Sequence, residues 1–244
     1  MIIGSNGYVG SALKLHCTRY TDIYLAFMSN NDMCMRNPEL AEQLNEESFA
    51  RFLTDFNGNK IIFASSVAAY GDCLDASEDT PLQPTTAYGR AKKACEEMLK
   101  SSGFDYTIVR SASVCGVSPK MRYDLMVNRM VRDAAKTGLI TVNGGAQMRS
   151  HVHIDDLCRF YQWVMDTPRK TSRETFNVVS ENQSVIDTAT LVAKTIGKTE
   201  IRIMPATDNR SYTVSGEKAK AAGFECTHRL RDAIVSVYLE TLYG

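Results

Sequence analysis

Tyr88 and Lys92 are the two residues of this sequence whose types and spacing most directly suggest chemistry. A separation of four residues places a phenol and an ammonium one turn apart on the same face of a helix. A neighbouring cation favours the phenolate, so we expect Lys92 to lower the pKa of Tyr88 below its ordinary value of about 10. The phenolate could then take a proton from a sugar or alcohol hydroxyl while hydride leaves the same carbon. Such pairs also arise by chance, so the neighbouring segments must decide.

Two serines lie upstream, directly after a short apolar segment. The residues from Ile61 to Ala64 predict a buried parallel strand, which leads into Ser65 and Ser66. Ligands of open α/β sheets bind outside the carboxyl ends of the strands, so these serines would face a site. The alternative is that they merely end the strand.

Glycines recur at every third position near the start of the sequence. Gly4, Gly7 and Gly10 follow a pair of β-branched residues and precede a predicted helix. Gly4 permits a tight turn, Gly7 lets backbone amides approach a pyrophosphate, and Gly10 allows close helix packing. The phosphate would lie against the helix N-terminus, so this segment indicates a dinucleotide-binding loop.

Four later segments complete an ordered set, and they are Val109–Gly116, Gln147–Leu157, Phe176–Val178 and Asp208–Tyr212. Together with the three segments above, they resemble the extended short-chain dehydrogenase/reductase superfamily and, within it, the NAD-dependent nucleotide-sugar epimerase/dehydratase family. The resemblance implies an α/β fold with a Rossmann-like, doubly wound parallel sheet. It assigns residues 1–110 to an NAD(P)-binding domain with the catalytic residues. Residues 111–244 would form a small, mainly substrate-binding α/β part, interleaved with the sheet.

The resemblance also implies roles for individual residues. Counting back from Tyr88 along the family motif places the catalytic hydroxyl on Ser66, which is expected to bond the reacting oxygen. Tyr88 would exchange the proton, Lys92 would also bind the nicotinamide ribose, and NAD would exchange the hydride. The implied cofactor contacts are Gly4, Asn6, Gly7, Tyr8, Val9, Gly10, Ala26, Asn45, Tyr88 and Lys92. Ala26 is equally explained as a core strand residue, and Asn45 as an exposed helix position.

The implied substrate is a nucleoside diphosphate sugar, whose negative charges require cations. Arg149 and Arg210 are the candidates, because arginine binds phosphate oxygens in a bidentate manner. By the same comparison Ser66, Ser113, Asn128 and the predicted strand at residues 140–143 contact the substrate. Most arginines of a protein surface are simply solvated, and these two are distinguished by the motifs that surround them.

The cofactor half is shorter than the family pattern requires. Only 50 residues separate Gly10 from Ile61, so the segment from Asp22 to Ala26 resembles the third strand of the family. The second strand, whose terminal acid binds the adenosine ribose, has no counterpart. A naturally abbreviated domain and a sequence that omits segments both explain this. NADP is therefore not excluded as the cofactor.

The residues after Ser66 bear on the reaction. Val67 and Ala68 stand where related 4,6-dehydratases carry an acid pair, so dehydration is disfavoured. Epimerisation and reduction of a 4-keto sugar remain open. One alternative is a non-catalytic sensor or scaffold that binds a dinucleotide or nucleotide sugar. Another is a reductase of small carbonyl compounds, which would not need Arg149 and Arg210.

Composition excludes several other classes of protein. The 244 residues carry 28 acidic and 28 basic side chains, with no basic cluster or zinc-ligand spacing, so we expect neither nucleic-acid nor metal binding. Seven scattered cysteines fit reduced thiols. The absence of a long apolar segment and of a signal peptide predicts a soluble, cytoplasmic protein without membrane contact.

Periodicity predicts helices at residues 39–54, 86–102, 122–137, 155–166, 184–196 and 229–242. Leu13 to Tyr20 can form the first helix. The alternation of His151 and His153 with apolar residues predicts a strand with structural histidines. The family also implies a homodimer, packed through the face of the 86–102 helix opposite Tyr88, which carries Ala94, Cys95, Met98 and Leu99.

Overall fold

The computed structural model describes residues 1–16, 22–29, 34, 36–206 and 210–244. Its strands are β1 (Ile2–Ile3), β2 (Asp22–Tyr24), β3 (Lys60–Ser66), β4 (Asp105–Ser111), β5 (Ser113–Cys115), β6 (Leu139–Asn143), β7 (Met148–His153), β8 (Glu174–Val178), β9 (Glu181–Ser184) and β10 (Glu200–Met204). Its α-helices are α1 (Tyr8–His16), α2 (Pro38–Asp55), α3 (Ala87–Ser101), α4 (Met126–Thr137), α5 (Ile154–Asp166), α6 (Pro168–Thr171), α7 (Val185–Ile196), α8 (Glu217–Ala222) and α9 (Leu230–Tyr243).

A five-stranded parallel sheet forms the centre of the fold, in the order β1-β2-β3-β4-β8. Successive residues of a strand point to opposite faces. Ile62 accordingly packs with α1 and α5, whereas Ile61 and Phe63 pack with Phe49 of α2 and Leu99 of α3. Helices cover both faces, so the predicted doubly wound α/β sheet is confirmed.

The order of the strands corrects one expectation. A doubly wound sheet of the order 3-2-1-4-5-6 places its fourth strand directly beside the first. Here β2 pairs with β1, so the segment at Asp22 takes the place of the fourth strand and not of the third. In the described part of the chain β1 is an edge strand, and the second and third strands both lack counterparts.

The second half of the chain contributes to the central sheet and to smaller layers. Strand β8 pairs with β4, so the two halves are interleaved in one sheet. Strands β5, β7 and β9 form a three-stranded sheet, and β6 pairs with β10. Helices α4, α7 and α9 enclose a separate apolar cluster with β6, around Val131, Val192 and Ile234.

The predicted helices are found within a few residues of their expected bounds. Among the six helices predicted from periodicity, the largest difference is at α4, which begins at Met126 because Leu125 has an extended backbone. The first helix begins earlier than expected, at Tyr8, and residues 17–20 lie outside the described residues.

The face of α3 expected to form a homodimer is partly core. Cys95 and Leu99 are fully buried against the central sheet, so these two residues are core, as apolar helix residues commonly are. Ala94 and Met98 are half-buried. The six cysteines in the described ranges are free thiols. No helix among the described residues combines the length and apolar character needed to cross a membrane.

Candidate active site

The glycine loop connects β1 to α1 with little space around two of its glycines. Gly4 has a φ of +84°, and a Cβ there would lie 2.6 Å from the Ala26 nitrogen. A Cβ on Gly10 would lie 2.3 Å from the Gly4 oxygen, whereas one on Gly7 would find only an ordinary contact at 3.4 Å. The turn at Gly4 thus lies against the segment after β2, and Gly10 lets α1 pack closely against that turn.

The serine strand and the helix of Tyr88 meet directly. Thr86 caps α3 by accepting a hydrogen bond from the Gly89 amide, at 3.1 Å. A Cβ on Gly89 would lie 2.5 Å from the Ala68 oxygen, so this glycine lets α3 pack against the turn after Ser66. Close packing at this point puts the Tyr88 hydroxyl within hydrogen-bond reach of the Ser66 hydroxyl.

The electrostatics of Tyr88 differ from the expectation. Burial raises the pKa of Tyr88 to about 12, and the hydrogen bond with Ser66 and the charge of Arg122 offset only part of that rise. We predicted a pKa lowered by Lys92, and that prediction is wrong for this structure. The physical reasons are the burial of the Tyr88 hydroxyl and the direction of the Lys92 ammonium, which bonds to the Ala64 oxygen.

Lys92 is buried, with 3% of its surface exposed, one turn after Tyr88 in α3. Its Nζ donates a hydrogen bond of 2.5 Å to the Ala64 carbonyl oxygen and lies 3.5 Å from the centroid of the Phe27 ring. The centroid of the Tyr88 ring is farther away, at 5.6 Å. Burial lowers the pKa of Lys92 to about 7, so its charge is itself sensitive to pH near neutrality.

Phe27 is a contact of both residues that the sequence did not single out. Its ring meets the Tyr88 ring edge-on, with centroids 5.7 Å apart and planes at 82°. Asn45 holds the loop that follows Phe27, because its Oδ1 accepts from the Met28 amide at 2.7 Å and its Nδ2 donates to the Met28 oxygen. Asn45 is therefore buried and bound to the loop, and the alternative that it is an exposed helix position is wrong.

Asn128 also lies inside the protein. Its Oδ1 accepts from the Gly116 amide at 3.2 Å, and its Nδ2 donates to the Tyr8 hydroxyl at 3.2 Å and to the Arg122 carbonyl oxygen at 3.1 Å. The side chain is fully buried. This geometry favours a structural role that ties the glycine loop to the second half of the chain.

The two predicted phosphate-binding arginines are neighbours. The Arg149 guanidinium donates to the carbonyl oxygens of Met148 and Arg210, and it lies 5.0 Å from the centroid of the Tyr212 ring. The segment of Arg210 is held to β7, because Tyr212 donates its amide to the Met148 oxygen at 3.2 Å. Asp208 and Asn209 lie outside the described residues.

The remaining predicted residues surround these contacts. Ser113 begins β5 and pairs in register with His151. Asn6 accepts a hydrogen bond from Lys14 at 3.1 Å, and Val9 packs at the edge of the core. Ala26 is half-buried beside Gly4. In the second small sheet, residues 140–143 lie in β6.

Three potential metal ligands come together at the start of α5. Donor atoms of His153, Asp155 and His228 lie within 4.8 Å of one another. The His153 Nδ1 already accepts the Asp155 amide at 3.1 Å, and the two imidazole rings stack with centroids 4.4 Å apart. His151 is fully buried, as predicted for a structural histidine.

Comparisons with known proteins identify the family and support the fold. A UDP-glucose 4-epimerase of Lactobacillus helveticus is 28% identical over 153 residues, which are 54% of this chain and 46% of that protein. This chain spans about half the length of the curated relatives it matches. The solved structure of UDP-glucose 4-epimerase from Thermotoga maritima with UDP-glucose superposes with a TM-score of 0.86 at 20% identity, covering 100% of this chain and 99% of that one.

A second solved structure, the Thermus thermophilus UDP-glucose 4-epimerase in complex with NAD, superposes with a TM-score of 0.84 at 17% identity and covers 100% and 98% of the two chains. At these identities the structural matches establish the fold. The model of the NAD dependent epimerase/dehydratase family matches residues 15–178, more than half of the sequence. The chain therefore belongs to the NAD dependent epimerase/dehydratase family.

Proposed function

We propose that the chain is an NAD-dependent enzyme that acts on a nucleoside diphosphate sugar, as an epimerase or as a reductase of a 4-keto sugar. One observation carries the proposal. The Tyr88 hydroxyl lies within hydrogen-bond reach of the Ser66 hydroxyl at the carboxyl end of β3, and the buried Lys92 lies one turn farther along the helix of Tyr88. Family membership supports the same reading.

The residues around the glycine loop fit a dinucleotide phosphate. The first turn of α1 carries no acidic residue, so its N-terminal amides and positive dipole end favour an anion. Gly7 leaves room on the ligand side of the loop, while Gly4 and Gly10 are needed for its close packing. The neighbouring structure of the Thermus thermophilus epimerase is a complex with NAD.

Each member of the site would have a separate task. Bound NAD would accept hydride from the sugar carbon and return it. Tyr88 would exchange the proton of the sugar hydroxyl, while the Ser66 hydroxyl would donate a hydrogen bond to the same oxygen. Lys92 would bind the nicotinamide ribose, which requires its Nζ to turn from the Ala64 oxygen and the Phe27 ring.

The substrate assignment depends on the arginine pair. The Arg149 guanidinium bonds to the backbone oxygen of Arg210 and lies beside Tyr212, and two arginines in this pair of segments would match the charge of a diphosphate. The UDP-glucose in the Thermotoga maritima neighbour supports a uridine nucleotide sugar. Dehydration is disfavoured, because Val67 and Ala68 follow Ser66 and offer no carboxylate.

A binding protein without turnover is the second candidate. The observation in its favour is the position of β1 at the edge of the described sheet, where the adenosine half of a dinucleotide would otherwise be bound. Such a protein would bind nucleotide sugars without changing them. The assembly as a homodimer and a cytoplasmic location stay predictions.

The experiment is to incubate the purified protein with NAD and either UDP-glucose or UDP-galactose and to follow the sugar signals by proton NMR. An epimerase converts each sugar into the same mixture of the two. Reduction is tested with NADH or NADPH and a 4-keto nucleotide sugar, by loss of absorbance at the wavelength of the reduced nicotinamide. Binding of the sugars in the absence of both conversions would contradict the enzyme and support the binding protein.

A further inference from the structure

Arg122 joins two segments that are 93 residues apart along the chain. It lies between β5 and α4, in the second half of the chain. Its Nη1 donates a hydrogen bond of 2.8 Å to the Ser29 Oγ, and its Nη2 donates to the Ser29 carbonyl oxygen at 3.4 Å. Its Nε donates to Asp124 at 3.0 Å, and a quarter of the side chain is exposed.

The backbone of Arg122 is anchored in the interior. Its carbonyl oxygen accepts from the Asn128 Nδ2, and Asn128 is fixed by Tyr8 and Gly116. Because Asn128 is fully buried, this anchor has little freedom to move. The guanidinium therefore reaches Ser29 from a rigid base.

The loop that Arg122 holds is the one that contacts Tyr88 and Lys92. Ser29 lies two residues after Phe27, whose ring packs edge-on against Tyr88 and lies beneath the Lys92 ammonium. A displacement of this loop would move the Phe27 ring, which contacts both Tyr88 and Lys92. Arg122 is thereby connected to the proton-exchange pair through Ser29 and Phe27.

Charge connects Arg122 to Tyr88 more directly. The leading influences on the pKa of Tyr88, apart from burial, are the hydrogen bond with Ser66, the charge of Arg122, and Cys34 and Tyr212, which oppose ionisation. Burial raises the pKa of Tyr161 and Tyr88 raises it further, so these two side chains also interact. The Lys92 ammonium, on the same helix, is directed to the Ala64 oxygen instead. A guanidinium stays charged at every pH at which a protein is folded, so Arg122 keeps its charge where burial makes Lys92 titrate near pH 7.

We propose that Arg122 is a positioning residue of the site, which holds the Phe27–Ser29 loop against Tyr88 and Lys92. The inference rests on the proposed role of Tyr88 in proton exchange. The Asp124 carboxylate pairs with the Arg122 guanidinium and therefore partly neutralises its charge.

Four variants separate the loop from the charge. Arg122→Met removes the hydrogen bonds to Ser29 and the positive charge. Arg122→Lys keeps the charge but loses the two hydrogen bonds to Ser29. Asp124→Asn keeps the guanidinium and removes the carboxylate that partly neutralises it. Arg132→Met is the matched control, because Arg132 is a third exposed and its Nε donates to Asp133 at 2.9 Å on the neighbouring helix α4.

Hydrogen exchange of the amides at residues 26–29, measured by mass spectrometry in the resting protein, tests the loop. We expect exchange to be faster by tenfold or more in Arg122→Met and in Arg122→Lys. A factor of ten corresponds to a loss of about 1.4 kcal/mol of local stability. Arg132→Met should match the wild type. Equal exchange in Arg122→Met and Arg132→Met would overturn the proposal, and this readout needs no turnover.

The pH dependence of kcat/KM tests the charge. We expect its acid limb to move to higher pH in Arg122→Met, with activity at neutral pH about three- to tenfold lower, and to lower pH in Asp124→Asn. Arg122→Lys should restore the wild-type limb. An unmoved limb in both Arg122→Met and Asp124→Asn would overturn the electrostatic role, whereas a wild-type protein without turnover would overturn only the proposed function.

Discussion

At the scale of single residues, burial decides the ionisation of the two central side chains. The spacing of Tyr88 and Lys92 correctly predicts that they share a helix face, but it does not tell where the ammonium points. The Lys92 ammonium bonds to the Ala64 oxygen and lies over the Phe27 ring, so its charge is directed to these groups and not to the Tyr88 hydroxyl. Burial raises the pKa of Tyr88 to about 12 and lowers that of Lys92 to about 7.

The low pKa of Lys92 makes stability depend on pH. The unfolded chain keeps this proton up to a pH near the ordinary pKa of 10.5, whereas the folded protein releases it near 7. Between these values the unfolded state binds more protons, so the free energy of unfolding should rise with pH. We expect Lys92 to cost about 3–5 kcal/mol below pH 7 and progressively less up to pH 10.

The measurement is urea unfolding of the wild type and of Lys92→Met between pH 7 and 10. The variant should be more stable at pH 7 and should lose most of the rise with pH. Lys93→Met is the control, because Lys93 lies one residue away and is 38% exposed. A rise that is the same in Lys92→Met and Lys93→Met would contradict the low pKa.

At the scale of elements, helix α3 is fixed by a buried ion pair. Glu96 follows Tyr88 and Lys92 at the same spacing of four residues and is fully buried. Both of its oxygens accept from Arg110 of β4, at 3.0 and 2.7 Å, and Ser65 donates to it. Tyr70 extends the network, because it accepts from Arg110. The pair sets the position of α3 against the strands that end at the site.

We expect Glu96→Gln to lower the free energy of unfolding by about 3–5 kcal/mol, because it leaves the buried guanidinium of Arg110 without its charge partner. Glu97→Gln is the matched control, since Glu97 is 64% exposed and its ion pair with Lys93 is 3.9 Å long. An exposed pair of this kind contributes about 0.5 kcal/mol. Chemical denaturation of both variants measures the difference, and equal losses would contradict the account of Glu96.

The elements also show what the sequence could predict. Local patterns recovered the main helices and the serine strand, because hydrophobic periodicity and caps such as Thr86 act over a few residues. Contacts between distant segments were missed. Arg122 meets Ser29 from 93 residues away, and Asn45 bonds to a loop of another element. Neither contact leaves a periodic signal in the sequence.

At the scale of the whole molecule, the sheet ends where the cofactor half should continue. Strand β1 is the edge of the described sheet, and the strand that carries the ribose-binding acid of a doubly wound fold lies across that edge. The short distance from Gly10 to Ile61 correctly predicts that a strand is missing, but it identifies β2 with the third strand of the fold when β2 occupies the place of the fourth. The position of a strand in a sheet depends on pairing and not on succession along the chain.

A reduced adenosine site changes the expected affinity for cofactors. We expect NAD and nicotinamide mononucleotide to bind with dissociation constants within about tenfold of each other, which corresponds to 1.4 kcal/mol or less from the adenosine half. Isothermal titration calorimetry of both ligands makes the comparison. Binding of NAD more than a hundredfold tighter would mean that other residues hold the adenosine.

The central claim is that Tyr88 exchanges the proton of the sugar hydroxyl, and Tyr88→Phe tests it most directly. The variant removes only the hydroxyl, so we expect kcat for sugar conversion to fall by about 10²–10⁴-fold while the nucleotide sugar still binds. Tyr24→Phe is the control, because Tyr24 is also buried and burial raises its pKa to about 12, but it lies in the core beside Phe49. Turnover by Tyr88→Phe at the rate of Tyr24→Phe would contradict the account.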